Sequence, residues 1–109
     1  MDIALHQKDK GVLNMKIGKF YKVTYTYKPC GTQESFIGMY EGIDENEFTG
    51  CTECAVCLKE GHARLHQFNI PYHETGDIED MTNQLDRCEY QTLYFGTSCI
   101  KKCKVEELQ

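Results

Sequence analysis

The sequence predicts a mainly β protein: a small antiparallel β-barrel with one short helix and a metal-binding loop inserted between strands. Three observations carry that expectation. Tyr21, Val23, Tyr25 and Tyr27 alternate with Lys22, Thr24, Thr26 and Lys28, the period-two pattern of a strand with one buried face. A second extended stretch, Glu34 to Ile43, is partly apolar on both faces and contains Gly38 and Gly42, which suits the strong bending a small barrel requires. Gly50 to Gly61 has neither helical nor strand periodicity yet holds three cysteines, and an irregular loop of that length in a compact domain needs a reason.

A chain of 109 residues has room for one hydrophobic core and not for two, so residues 1–109 are read as a single domain. Seven Tyr, five Phe and only two Pro suit a folded, strand-rich chain and argue against disorder. Residues 1–18 are polar with scattered apolar side chains and read as an arm or a short edge strand. Pro29-Cys30-Gly31-Thr32 ends the first strand in a turn, and Asp44-Glu45-Asn46-Glu47 ends the second. Ala63 to Ile70 forms the third strand, with Leu65 on one face and His66, Phe68 and Ile70 on the other, stopped by Pro71. Ile78, Met81 and Leu85 stand at helical spacing behind Asp77, an N-cap type, and predict a helix over 77–86. Tyr90 to Phe95 reads as a strand, Gly96-Thr97-Ser98 as a turn, and Cys99 to Val105 as a last strand that also carries Cys103.

Charge narrows the range of partners. The net charge is −5, and from Glu34 to Glu89 thirteen acids face only Lys59, Arg64 and Arg87, a surface that repels phosphate backbones and argues against general nucleic-acid binding. Met1 to Lys28 holds six lysines against Asp2 and Asp9, a local basic edge. Between Met1 and Lys16 no apolar run reaches the length of a signal peptide or a membrane span, which points to a cytoplasmic protein. In a reducing compartment seven cysteines, an odd number, serve as metal ligands or buried thiols rather than as a disulfide framework.

Cys51-Thr-Glu-Cys54-Ala-Val-Cys57 is the most chemically specific stretch. Thiolates are soft and negative, and two cysteines separated by two residues can direct both sulfurs at one ion. Cys51, Cys54 and Cys57 with His62 are the expected ligands of a structural Zn2+ in a loop spanning 50–62; His66, Cys88, Cys99 and Cys103 compete for the fourth place. Pairing Cys51 and Cys54 with Cys99 and Cys103 resembles the two-knuckle layout of zinc ribbons. The Cys-x-x-Cys-x-x-Cys run also resembles the ligand run of bacterial ferredoxins, which would imply an iron-sulfur cluster instead of zinc. Gly38-Met-Tyr-Glu-Gly-Ile-Asp44 resembles the bent second strand of SH3-like and Sm-like barrels, and so gives the barrel an SH3-like form.

Other arrangements point to enzymes. Cys57 with His62, or Cys88 with His73, could pair a nucleophile with its base, but no orienting motif surrounds either pair. Tyr21, Tyr25 and Tyr27 beside Lys19, Lys22 and Lys28 could stack single-stranded nucleic acid, yet the same alternation is what a half-buried strand shows. The expected function is therefore a non-enzymatic adaptor domain that binds another protein. Two alternatives stay open: an iron-sulfur or thiol redox protein, and an acidic phage or mobile-element inhibitor acting on a nucleic-acid-binding partner.

Overall fold

A computed structural model describes residues 14–44 and 51–108. Five strands, β1 (Phe20–Tyr27), β2 (Thr32–Asp44), β3 (Leu65–Pro71), β4 (Tyr90–Gly96) and β5 (Lys104–Glu107), form one antiparallel sheet in the order β4-β3-β2-β1-β5. Two short helices, α1 (Ile78–Asp86) and the single turn α2 (Thr97–Ile100), precede β4 and β5 respectively. Mainly β is thus the class found, with β1, β2, β3, β4 and the helix near the positions their sequence patterns mark.

The sheet does not close into a barrel. β4 and β5 stand at its two edges, and the reason is visible in the last twenty residues. The stretch from Cys99 to Val105, expected to continue as a strand, instead coils into α2 and buries Cys99, Ile100 and Cys103; only Lys104–Glu107 is left to pair with Tyr21–Thr24. A four-residue strand bonded to half of β1 is too short to reach round to β4.

Period-two patterning produces the core. Tyr21 and Val23 from β1, Phe36 and Tyr40 from β2, Phe68 and Ile70 from β3 and Phe95 from β4 are buried together. At its centre Phe36, Phe68 and Phe95 meet pairwise with ring centroids 5.7, 5.8 and 5.7 Å apart. Tyr25 packs edge-on against Phe95 at 5.5 Å, whereas Tyr27 lies outside the core and is exposed. The tyrosine stripe is therefore mostly core. The bend expected in β2 falls at Gly42, where the register with β3 shifts between Tyr40 and Gly42 and φ is +99°. A Cβ there would also lie 3.0 Å from Ile17 Cδ1, so glycine answers both the left-handed backbone and the close approach.

Asp77 caps α1 as expected, its carboxylate accepting from the Glu79 N–H at 3.1 Å. The buried face differs from the expected one. Met81 is buried, but Ile78 is exposed and Gln84 takes the second inward place. Its amide works as a clasp: Oε1 accepts from His73 N–H at 2.9 Å, and Nε2 donates to His73 C=O at 2.8 Å and to Asp80 at 3.0 Å. A buried amide whose bonds are made can replace an aliphatic side chain.

The C-terminus of α1 is closed by two 6→1 and 5→2 bonds, Glu89 N–H to Gln84 C=O and Cys88 N–H to Leu85 C=O. Cys88 occupies the left-handed position of this motif at φ +61°, where glycine is the usual residue, and its thiol is exposed. Cys88→Gly is expected to raise stability by about 0.5–1 kcal/mol, since the Cβ penalty exceeds the added unfolded-state entropy. A denaturation midpoint that fell would reject this account.

His66 lies half-buried on β3 with Nδ1 2.7 Å from the Tyr40 hydroxyl. Burial, aided by the charge of Arg64, lowers its pKa from the ordinary value of 6.5. The hydroxyl of Tyr40 and Nδ1 of the ring share one hydrogen bond. A depressed histidine pKa means that the unfolded chain binds the proton first, so stability is full above pH 6.5 and declines as pH falls through and below it. His66→Gln is expected to flatten that acid decline, which urea midpoints at pH 7.5 and pH 5 would reveal.

Candidate metal centre

The loop that follows the undescribed residues 45–50 is anchored by its backbone. Leu58 N–H donates to Cys54 C=O at 2.8 Å and Cys54 N–H to Lys59 C=O at 3.1 Å, closing a tight turn around Cys54-Ala-Val-Cys57. Ala55 N–H then donates to Tyr94 C=O at 2.7 Å, docking this turn on the edge of β4, and Val56 packs toward the core. Leu58 takes φ +58° to complete the turn, a left-handed conformation that a leucine adopts only at a cost of about 1–2 kcal/mol.

Docking brings four donor atoms together. The sulfurs of Cys54, Cys57 and Cys99 and a ring nitrogen of His62 all lie within 4.8 Å of one another, with Cys57 Sγ 3.1 Å from His62 Nε2. A tetrahedral zinc ion with bonds of about 2.3 Å to sulfur and 2.0–2.1 Å to nitrogen needs its ligands roughly 3.5–3.8 Å apart, so the group is compact enough for a single ion. Cys54 and Cys99 are buried, with Cys57 and His62 half-buried at the surface.

Backbone donors prepare the Cys54 sulfur for negative charge. Burial by itself would raise its pKa, but N–H groups of Gly96, Cys57 and Val56 point at the sulfur and bring the net shift below the ordinary value. The Gly96 bond is 3.3 Å long. Cys99 is pushed the other way, up to about 11, by burial first and then by the neighbouring Cys54 and Cys57. Three sulfurs so close would repel one another if all were ionised, and a divalent cation would relieve that repulsion.

The expected ligands divide as follows. Cys54, Cys57 and His62 are brought together, and Cys99, one of the alternative fourth ligands, joins them from α2. Cys51 is exposed and outside the group, so of the two Cys-x-x-Cys pairs only Cys54 and Cys57 lie together in it. His66 is engaged with Tyr40, Cys88 ends α1, and Cys103 is buried with its thiol donating to Cys99 C=O at 3.5 Å. Neither the full zinc-ribbon set nor the three-cysteine ferredoxin run is assembled. Gly96, read from the sequence only as part of a turn, touches two members of the group. Besides donating to Cys54 it leaves room for His62, since a Cβ at this position would sit 2.7 Å from His62 Cε1 and 2.8 Å from Nδ1.

Fold and site together define an open, five-stranded antiparallel β domain with a Cys3His group that could bind a metal ion. No protein-family model, curated protein or solved structure matches the chain. Among the described residues no helix is long and apolar enough to cross a membrane.

Proposed function

We propose that this chain is a small intracellular, non-enzymatic domain that binds another protein, and that a structural Zn2+ held by Cys54, Cys57, His62 and Cys99 fixes the loop before β3 as part of its recognition surface. The observation that carries this reading is the convergence of three sulfurs and one imidazole from two segments distant in sequence. Three thiolates with one histidine form a closed tetrahedral set, the usual structural zinc chemistry, whereas iron-sulfur clusters are generally held by four cysteines. The 3.1 Å from Cys57 to His62 alone would suit a nucleophile and its base, but two further sulfurs within 4.8 Å favour a ligand set over a catalytic pair. All seven cysteines are free thiols, in keeping with a reducing compartment.

The strand order β4-β3-β2-β1-β5, with one helical turn between β4 and β5, supports an SH3-like reading of this open sheet. In such a fold the zinc serves the architecture and the chemistry of binding lies on the surface. Elemental analysis of protein purified without added metal or chelator tests the central point. One zinc per chain and no visible absorption is the expected result. Iron with a coloured spectrum would replace this reading with a redox one, and a metal-free chain with an intact loop would overturn it.

A further inference from the structure

Two grooves adjoin on the face of the molecule that carries β1 and β5. One, of about 470 Å³, crosses β5, β1 and β2. The second, of about 370 Å³, shares Thr26 and Lys102 with it and ends at Val56, Cys57 and Cys99 of the metal centre. Together they form a single open trough whose far wall is the metal-held loop. Its surface is polar: hydroxyls of Thr24, Thr26 and Ser35 and the amide of Gln33 line the longer part. Small apolar ligands favour enclosed, mostly apolar pockets, so this trough fits a chain better than a small molecule.

Its charge is opposite to that of the protein as a whole. Lys22, Lys28, Lys102 and Lys104 line the trough, against Glu34 and Glu106. Lys104 lies 3.9 Å from Glu106, while Lys22, Lys28 and Lys102 make no ion pair among the described residues. Three cations without an ion pair among the described residues, beside hydroxyl and amide donors, make a site for carboxylates. The chain as a whole carries a net charge of −5, which disfavours any long polyanion that extends past this patch. A short segment of peptide need occupy only the basic part. β5 adds a reason for extended peptide: among the described strands it pairs with β1 alone and forms an edge of the sheet.

We infer that this trough binds an extended, acidic peptide segment of a partner protein, with Lys22, Lys28 and Lys102 facing its carboxylates and the metal loop closing one end. The inference deepens the adaptor reading by naming the chemistry of the partner, and it rests on that reading for the rigidity of the loop wall.

The test uses the full chain, 15N-labelled and loaded with zinc, and a capped octapeptide of alternating glutamate and serine as probe, with octathymidylate as the competing polyanion. Saturable shifts are expected at the amides of Thr24, Thr26, Ser35, Lys102 and Lys104. The triple variant Lys22→Gln, Lys28→Gln, Lys102→Gln is expected to keep a dispersed spectrum and to bind the peptide about tenfold or more weakly. Shifts confined to another face, an unchanged affinity in the triple variant, no binding, or tighter binding of octathymidylate would each overturn the inference. Metal content measured on the same samples separates the two readings. Zinc-loaded chain that ignores the peptide removes the trough alone, while metal-free chain that binds it normally removes the structural role of zinc.

Discussion

Cys99→Ser is expected to release the metal, and Cys51→Ser to leave it bound. The contrast follows from placement: Cys99 lies in α2 and is 5% exposed within the ligand group, while Cys51 is exposed and stands apart from it. Serine keeps nearly the size of cysteine but is a poor zinc ligand, so the change deletes one bond and barely disturbs packing. It also deletes the link between loop and sheet that the metal would provide, because Cys54, Cys57 and His62 all belong to the loop. Metal binding contributes directly to folding free energy. A loss of about 3 kcal/mol or more is expected for Cys99→Ser, lowering Tm by about 10–20 °C in a domain of this size. Cys51→Ser is expected to shift stability by no more than about 0.5 kcal/mol, as surface changes usually do. Metal stoichiometry and thermal melts on both variants decide the matter, and metal lost from Cys51→Ser but kept by Cys99→Ser would reverse the assignment.

That assignment also shows what could be read from the chain. Both Cys51-x-x-Cys54 and Cys54-x-x-Cys57 have ligand spacing, and local spacing cannot choose between them. The choice is made by a long-range contact, Ala55 N–H on Tyr94 C=O, which turns Cys54 and Cys57 toward α2. Strands were more legible because alternation is a local property, and the Tyr21, Val23 and Tyr25 face emerges where the pattern puts it. Barrel closure was not legible, since it depends on how far β5 extends and on whether residues 97–100 coil. Gln84 escaped for a similar reason: hydropathy assigns a glutamine to the surface, and only the two His73 backbone groups waiting for it explain its burial.

A glycine makes the sharpest demand on the site. Gly96 has φ −58°, a value that every L-residue adopts, so Gly96→Ala meets no backbone penalty and would ordinarily be neutral or stabilising. Its methyl group, however, would overlap the His62 ring at 2.7–2.8 Å, a separation that non-bonded carbon does not tolerate. Because Gly96 stands on β4, paired with Leu65 and donating its N–H to Cys54, the sheet holds it in place and the ring must move. His62 sits on the loop and is the more mobile partner. Displacing it takes the imidazole away from Cys57, and metal affinity is expected to fall about 10–100-fold, the usual consequence of disturbing a ligand's support. A double-mutant cycle makes the cause specific. In a His62→Ala background the overlap is already gone, and adding Gly96→Ala is expected to cost little further affinity. Competitive chelator titrations on the four proteins would measure this coupling. Additive losses would mean that Gly96 acts through Cys54 or the β4 backbone and not through room for His62.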